Sequence, residues 1–360
     1  MKMRTGALCA AVAAAAAALI VFPAQSSAGA KSGVDYCLNI LVPSLYPFMV
    51  LSVFVVKSGL AQKAGKHLEK FTQKVFRLPG CAAVCLLMSL VGGYPAGARS
   101  VVSLYEDGGI SERQARQMLC FCVNAGPSFV ITAVGVGFFG SAAAGYTLFA
   151  SQLIIFIILG IICGAISKKA ESRPLQNAGK KIPASEALVI SASDAAYSTL
   201  NMCCFVILFA ALMNVLRVFV KQPAVSAVCS CILEVTGGCA DLARAGAPLW
   251  AAAFAVGWGG VCVHFQIYAS TAGLRINRAE FVLFRFLQGA MSAAVSYILT
   301  PLMPGCAETF SNFSGETAGA LSSRAPAAAA MIALCAALLF SMPHEKLEVR
   351  HGGCYNKRGA

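Results

Sequence analysis

The stretch on which the fold turns is Cys81-Ala-Ala-Val-Cys-Leu-Leu-Met-Ser-Leu-Val-Gly-Gly-Tyr-Pro-Ala-Gly-Ala-Arg-Ser-Val-Val-Ser-Leu-Tyr105. It is apolar and long enough to cross about 30 Å of hydrocarbon. Gly92–Gly97 interrupts it at the middle, however, and Gly and Pro there divide one helix into halves of about ten residues, too short to span singly. Lys57, Lys63, Lys66, Lys70, Lys74 and Arg77 crowd the loop before it. After it, two apolar runs between Glu112 and Ser167 form an up-and-down pair that ends at Lys168, Lys169, Arg173, Lys180 and Lys181. The positive-inside rule puts both basic clusters in the cytoplasm. The stretch then starts and ends on one side, which predicts a re-entrant hairpin with its Gly-rich tip at membrane depth.

The composition agrees with a membrane environment. The chain has 360 residues, 58% hydrophobic and only 12% charged. A soluble globular chain carries about 25% charged and 45–50% apolar residues, so too little polar surface is left to cover a water-soluble particle. A soluble enzyme, a disordered chain and a disulfide-stapled domain are all excluded on that ground. The net charge of +13 comes from 28 Lys and Arg against 15 Asp and Glu. Most of the basic residues sort into loops on one side, so the charge reads as orientation and not as nucleic-acid binding. Of the 16 cysteines, most sit inside apolar runs, where they pack as small hydrophobic residues. No CxxC pair occurs, and Cys120/Cys122 and Cys229/Cys231 have no nearby His, so no metal site is expected.

Apolar runs of spanning length start at Thr5, Asn39, Glu112, Gly145, Ala187, Ala247, Phe281 and Pro326. A second interrupted stretch, Val225–Gly246, carries Thr236-Gly237-Gly238 at its middle and reads as a hairpin entered from outside. The expected fold is an all-α polytopic membrane protein with about eight transmembrane helices plus two re-entrant hairpins in an inverted-topology repeat. Residues 1–30 form a first span ending near Pro23, kept uncleaved in preference to a signal peptide. Repeat 1 covers 31–167, with a span, the hairpin 81–107, a broken span 112–139 and a further span. A basic cytoplasmic linker covers 168–186. Repeat 2 covers 187–301, with a span, the hairpin 225–246, a broken span 247–272 and a further span. An external loop 302–325, a last span 326–342 and a basic cytoplasmic tail 343–360 complete the chain, with both termini cytoplasmic. Gly92-Gly93 with Ala98-Arg99 matches Gly237-Gly238 with Ala243-Arg244, and Phe121–Val130 aligns with Phe254–Val263.

A helix broken in lipid leaves N–H and C=O groups unpaired, and its N-termini attract anions. Secondary transporters bind solute where such breaks meet. The breaks expected at Gly92–Gly97, Asn124–Pro127, Thr236–Gly238 and Gly257–Gly260 therefore make Gly93, Tyr94, Pro95, Gly97, Asn124, Gly126, Pro127, Thr236, Gly237, Gly238, Gly257, Gly259 and Gly260 candidates for solute contact. Arg99 and Arg244, just past the hairpin tips, read as matched anchors for an anion, or as partners of carboxylates such as Asp241 or Glu106. Glu234 reads as a cation or proton site, or as a partner of Arg244. His264 and Gln266 follow the last break and suit a pathway lining. Arg285 and Asp194 read as anchors at span ends. The chain has no P-loop, no HExxH and no GxSxG motif, so no enzyme, no catalytic residue and no cofactor are expected. The expected partners are the lipid bilayer and a small-molecule anion.

Several of these segments resemble a known family. They are Pro43-Ser-Leu-Tyr-Pro-Phe48, Gly93-Tyr-Pro-Ala-Gly-Ala98, the Gly-Ile-Ser-Glu turn at Gly109–Glu112, Phe121-Cys-Val-Asn-Ala-Gly-Pro-Ser-Phe129, Leu233-Glu-Val-Thr-Gly-Gly238, and Gly257-Trp-Gly-Gly260 with Gln266. In that order, between about Phe22 and Leu299, they resemble the sporulation integral membrane protein family of the YlbJ type. That family is similar to the wider group carrying the nucleoside-transporter and ferrous-iron-transporter gate domain. The resemblance implies that the first apolar segment is retained as a span. It also implies a role in endospore formation and solute movement across a forespore membrane, with dipicolinate as the associated cargo. The cysteine content and the Ala-rich first span depart from the family. Rival readings are a gate-domain transporter of a nucleoside or a metal ion, and a non-transporting structural membrane protein.

Overall fold

In the computed structural model, residues 2–167, 183–271 and 273–303 are described, and every regular element among them is helical. Helix α1 (Lys2–Val21) meets α2 (Pro23–Tyr36) at a bend of 101°. Pro23 starts the second helix because it has no N–H to continue the first. A π-helical turn, Cys37–Leu41, leads into α3 (Val42–Lys57), and α4 (Leu60–Val75) follows Gly59, which is left-handed at φ 76°. The paired helices α5 (Ala82–Val91) and α6 (Gly93–Glu106) come next. Helix α7 (Glu112–Leu119) starts in a capping box, in which Ser111 and Gln114 each bond the other's backbone N–H. Residues 120–126 are not helical, and a π-helix, Ser128–Phe138, follows them. Then come α8 (Ala142–Ile166), α9 (Ala184–Phe219), the pair α10 (Pro223–Leu233) and α11 (Val235–Arg244), the pair α12 (Leu249–Trp258) and α13 (Gly260–Ser270), and α14 (Arg278–Leu299).

Four helical stretches among the described residues are long and apolar enough to cross a membrane: 142–166, 184–219, 249–270 and 278–302. The bent pair 12–21 with 23–41 makes a fifth if taken as one span. Eight were expected. The run from Pro326 lies outside the described residues, as do the loop 304–325, the tail 343–360 and most of the linker. Ala184–Glu186, expected in that linker, already belong to α9, whose 36 residues make it about 54 Å long. The run from Glu112 is not one helix but eight residues of α7, a non-helical segment and an 11-residue π-helix. The run from Asn39 yields only the 16 residues of α3, extended backwards through the π turn and α2.

The breaks fall close to, but not at, the expected positions. Gly92 alone separates α5 from α6, and Gly93, the first residue of α6, is left-handed at φ +84°. Tyr94 to Gly97 lie in the first turns of α6. Pro95 fits there because the N–H it lacks has no partner in a first turn anyway. The second pair breaks at Glu234, in extended backbone at φ −148° and ψ 128°. Thr236, Gly237 and Gly238 are the first turn of α11 and do not interrupt it. The third break is shifted forward: residues 120–126 are non-helical, and Pro127 already caps the π-helix. The fourth is confined to Gly259 and Gly260, at φ +80° and +73°.

The glycines that do not break helices let them touch. A Cβ at Gly97 would lie 2.7 Å from the Ser89 Cβ on α5 and 2.2 Å from the Cys122 carbonyl oxygen. A Cβ at Gly238 would lie 2.7 Å from the Cys231 Cα on α10. Small residues at a helix crossing allow this close approach where lipid supplies no hydrophobic drive. Cys85, Cys122 and Cys239 are wholly buried in the same core.

Candidate functional site

Three of the four breaks converge on one cavity, with the helix that follows the fourth. Its lining includes Gly93, Tyr94 and Pro95 from the start of α6, Ala125 and Gly126 from the non-helical segment, Glu234, Val235 and Thr236 from the start of α11, and Val263 and Gln266 from α13. Leu41 of the first π turn, Phe129 of the π-helix, Leu45, Met202 and Val206 supply its apolar wall. About 390 Å³ of empty space lies within this lining, part of it open to the surroundings. The space left between these side chains is small, with room for about one water molecule.

Each break leaves unpaired backbone groups, and side chains from elsewhere take them up. The Tyr94 hydroxyl donates to the carbonyl of Val256, near the end of α12. The Trp258 indole donates at 3.2 Å to the Ile232 carbonyl at the end of α10. At the start of α11 the Glu234 carboxylate accepts from Thr236 N at 2.8 Å and Gly237 N at 2.6 Å. This is an N-cap made by a buried carboxylate, only 4% exposed. Glu234 therefore does not pair with Arg244.

The break after α7 is held most heavily. Arg285 of α14 is fully buried, at 0% exposure. Its guanidinium donates to the carbonyls of Val123 and of Cys120, the latter at 3.1 Å, and to the Gln288 side chain. Gln288 in turn donates to Asn124 at 2.7 Å, and Asn124 donates to the Phe121 carbonyl at 2.8 Å. From the other side, the Gln152 amide oxygen of α8 accepts from Ala125 N at 3.3 Å. Arg285 is thus no interface anchor. Its fork satisfies carbonyls that lipid could not. The signal for it was in the sequence: a single Arg inside the Phe281–Phe286 run, with Gln288 three residues on.

The remaining candidates lie off the lining. Arg99 pairs with Asp194 at 2.9 Å and reaches Glu106 at 3.8 Å. Arg244 is 58% exposed and pairs with Asp241 at 2.6 Å, which also takes Arg217 at 2.5 Å. The two arginines are not structurally matched either, since Arg99 sits mid-way along α6 and Arg244 is the last residue of α11. Asp194, expected at a span end, lies inside α9. His264 is buried; its Nδ1 lies 2.7 Å from the Gly260 carbonyl, its ring packs on Trp258 at 4.3 Å, and its Nε2 has no partner among the described residues. Asn124, Pro127, Gly97, Gly237, Gly238, Gly257, Gly259 and Gly260 shape the breaks and the packing without lining the cavity. Within the lining, the Thr236 hydroxyl is buried beside the Glu234 carboxylate.

Comparison with known proteins bears on part of the chain. Residues 38–142 match a family model described as Gate, nucleoside recognition. Over 155 residues the chain is 31% identical to the sporulation integral membrane protein YlbJ of Bacillus subtilis (strain 168). That match covers 43% of this chain and spans 38% of the length of that relative. No solved structure matches the chain. The two matches support the YlbJ-type sporulation family suggested by the motifs, and with the apolar helices they describe a multi-pass integral membrane protein.

Proposed function

We propose that this chain moves a small organic acid, dipicolinate-like in size and charge, across a forespore membrane through the cavity between Gly93 and Gln266. The observation that carries the reading is the occupant of the α11 N-terminus. A carboxylate already sits there on two backbone N–H groups, at 2.6 and 2.8 Å, and it belongs to the chain's own Glu234. A cargo carboxylate can make the same bonds once Glu234 swings away, with the Thr236 hydroxyl beside it. In this reading α5/α6 and α10/α11 are re-entrant hairpins entered from opposite faces, and the basic loops and both termini are cytoplasmic. Helices of 10 to 14 residues, about 15 to 21 Å long, suit that role because none spans the bilayer alone.

A second reading is an uncharged polar solute such as a nucleoside. It is favoured by the lack of a basic side chain in the lining among the described residues, where Glu234 and Gln266 offer acceptors instead. Uptake by proteoliposomes distinguishes the two. Under the organic-acid reading, the parent chain takes up labelled dipicolinate and not uridine. Glu234→Gln then raises the apparent affinity for dipicolinate, because the competing carboxylate is gone. Uridine uptake that Glu234→Gln abolishes would establish the second reading, and no uptake of either solute would sink both.

A further inference from the structure

We infer that α4 is a docking surface for anionic phospholipid headgroups, lying in the plane of the membrane interface. The inference rests on the reading of the chain as a membrane protein but not on its cargo. Helix α4 presents three faces. Ala61, Gly65 and Thr72 are buried against the protein, and Gly65 packs so closely that a Cβ there would lie 2.5 Å from Cys81 N. Beside them runs an uncovered apolar stripe at helical spacing: Leu60 43%, Leu68 44% and Phe71 59% exposed. On its far side Lys63, Lys66, Lys70 and Lys74 are exposed at three- and four-residue spacing, so their ammonium groups share one face. Among the described residues none of these four lysines is in an ion pair, and the single acidic residue of α4, Glu69, accepts from Gln73 at 2.8 Å.

Two contacts set the depth of α4 independently of its composition. Lys57, at the end of α3, pairs with Asp107 just past the end of α6 at 3.0 Å. Arg77, two residues after α4, donates to the carbonyls of Ala165 and Ser167 at 3.1 and 2.9 Å, where the 25-residue helix α8 ends. The C-terminal end of α4 is therefore tied to the place where a helix of membrane length stops, and its N-terminal end to the ends of the shorter α3 and α6. An apolar stripe and a basic face on such a helix are what an interfacial helix needs, the stripe entering the acyl boundary and the lysines meeting phosphate. Unpaired lysines at the surface complement negative lipid, each strengthening binding by about five-fold.

The experiment measures lipid retained by the full purified chain, offered phosphatidylglycerol and phosphatidylcholine in equal amounts in mixed micelles. The parent should retain phosphatidylglycerol with at least about ten-fold preference, and the preference should collapse as salt rises to ~1 M. The variant K63Q/K66Q/K70Q/K74Q should bring it close to unity while unfolding at the parent's temperature in phosphatidylcholine alone. The inference is overturned if the parent shows no preference, if its preference ignores salt, or if the folded variant keeps it. Should the Gln variant not fold, the salt series on the parent decides alone. Inorganic phosphate that displaced the bound lipid at millimolar concentration would show a free-anion site and would also overturn it.

Discussion

At the residue scale, the groups that matter most are those that finish another segment's hydrogen bonds. Arg285 is the clearest. Replacing it by Met strands the carbonyls of Cys120 and Val123 and the Gln288 amide together. Each buried unpaired group costs about 1–3 kcal/mol, so Arg285→Met should lower the unfolding midpoint in detergent sharply. Arg285→Lys, which keeps the charge but not the fork, should fall between. A Met variant as stable as the parent would rule out the latch. Arg99 and Arg244 carry the opposite expectation. Both are tied to carboxylates away from the cavity, in partly exposed pairs worth at most about 1 kcal/mol. Arg99→Gln and Arg244→Gln should leave solute uptake within about five-fold of the parent, and loss of uptake in either would restore the anchor role that their spacing suggested. The sequence could rank an Arg in an apolar run as unusual. It could not show which Arg is paired with an acid and which with backbone, because Val123 and Arg285 are 162 residues apart.

At the element scale, the breaks were legible because Gly and Pro mark them, and their exact positions were not. Pro95 looked like a helix breaker but sits in a first turn, where a missing N–H is harmless. The Gly237-Gly238 pair looked like a second break, yet the helix starts at Val235, because the Glu234 side chain caps it and the two glycines then serve packing. The π-helix Ser128–Phe138 has no composition signal at all. These two uses of glycine can be separated by experiment. Gly97→Leu forces a side chain into a site where a Cβ alone already meets the Cys122 carbonyl at 2.2 Å, so the folded protein should be lost or nearly so. Gly108→Ala, left-handed at φ +72° with nothing within 4 Å, should cost only about 1 kcal/mol. Comparable yields and unfolding midpoints for the two variants would mean that α5, α6 and the non-helical segment are not packed as described.

At the scale of the whole molecule, the parts are wired crosswise. Tyr94 of the first half closes the end of α12 in the second, and Arg285 and Gln288 of the second half hold the break after α7 in the first. Such wiring gives the cavity walls that cannot move independently: widening the site on one side must disturb a hydrogen bond anchored on the other. The proposed function also needs a topology in which α5/α6 returns to the face it left. Single cysteines at Lys63 and Glu112, probed in sealed vesicles with a membrane-impermeant maleimide and read against the parent's own thiols, should both react from the same side. Reaction from opposite sides would make α5/α6 a crossing element. The two hairpins would then no longer enter from opposite faces, and the proposed inverted repeat would fall with it.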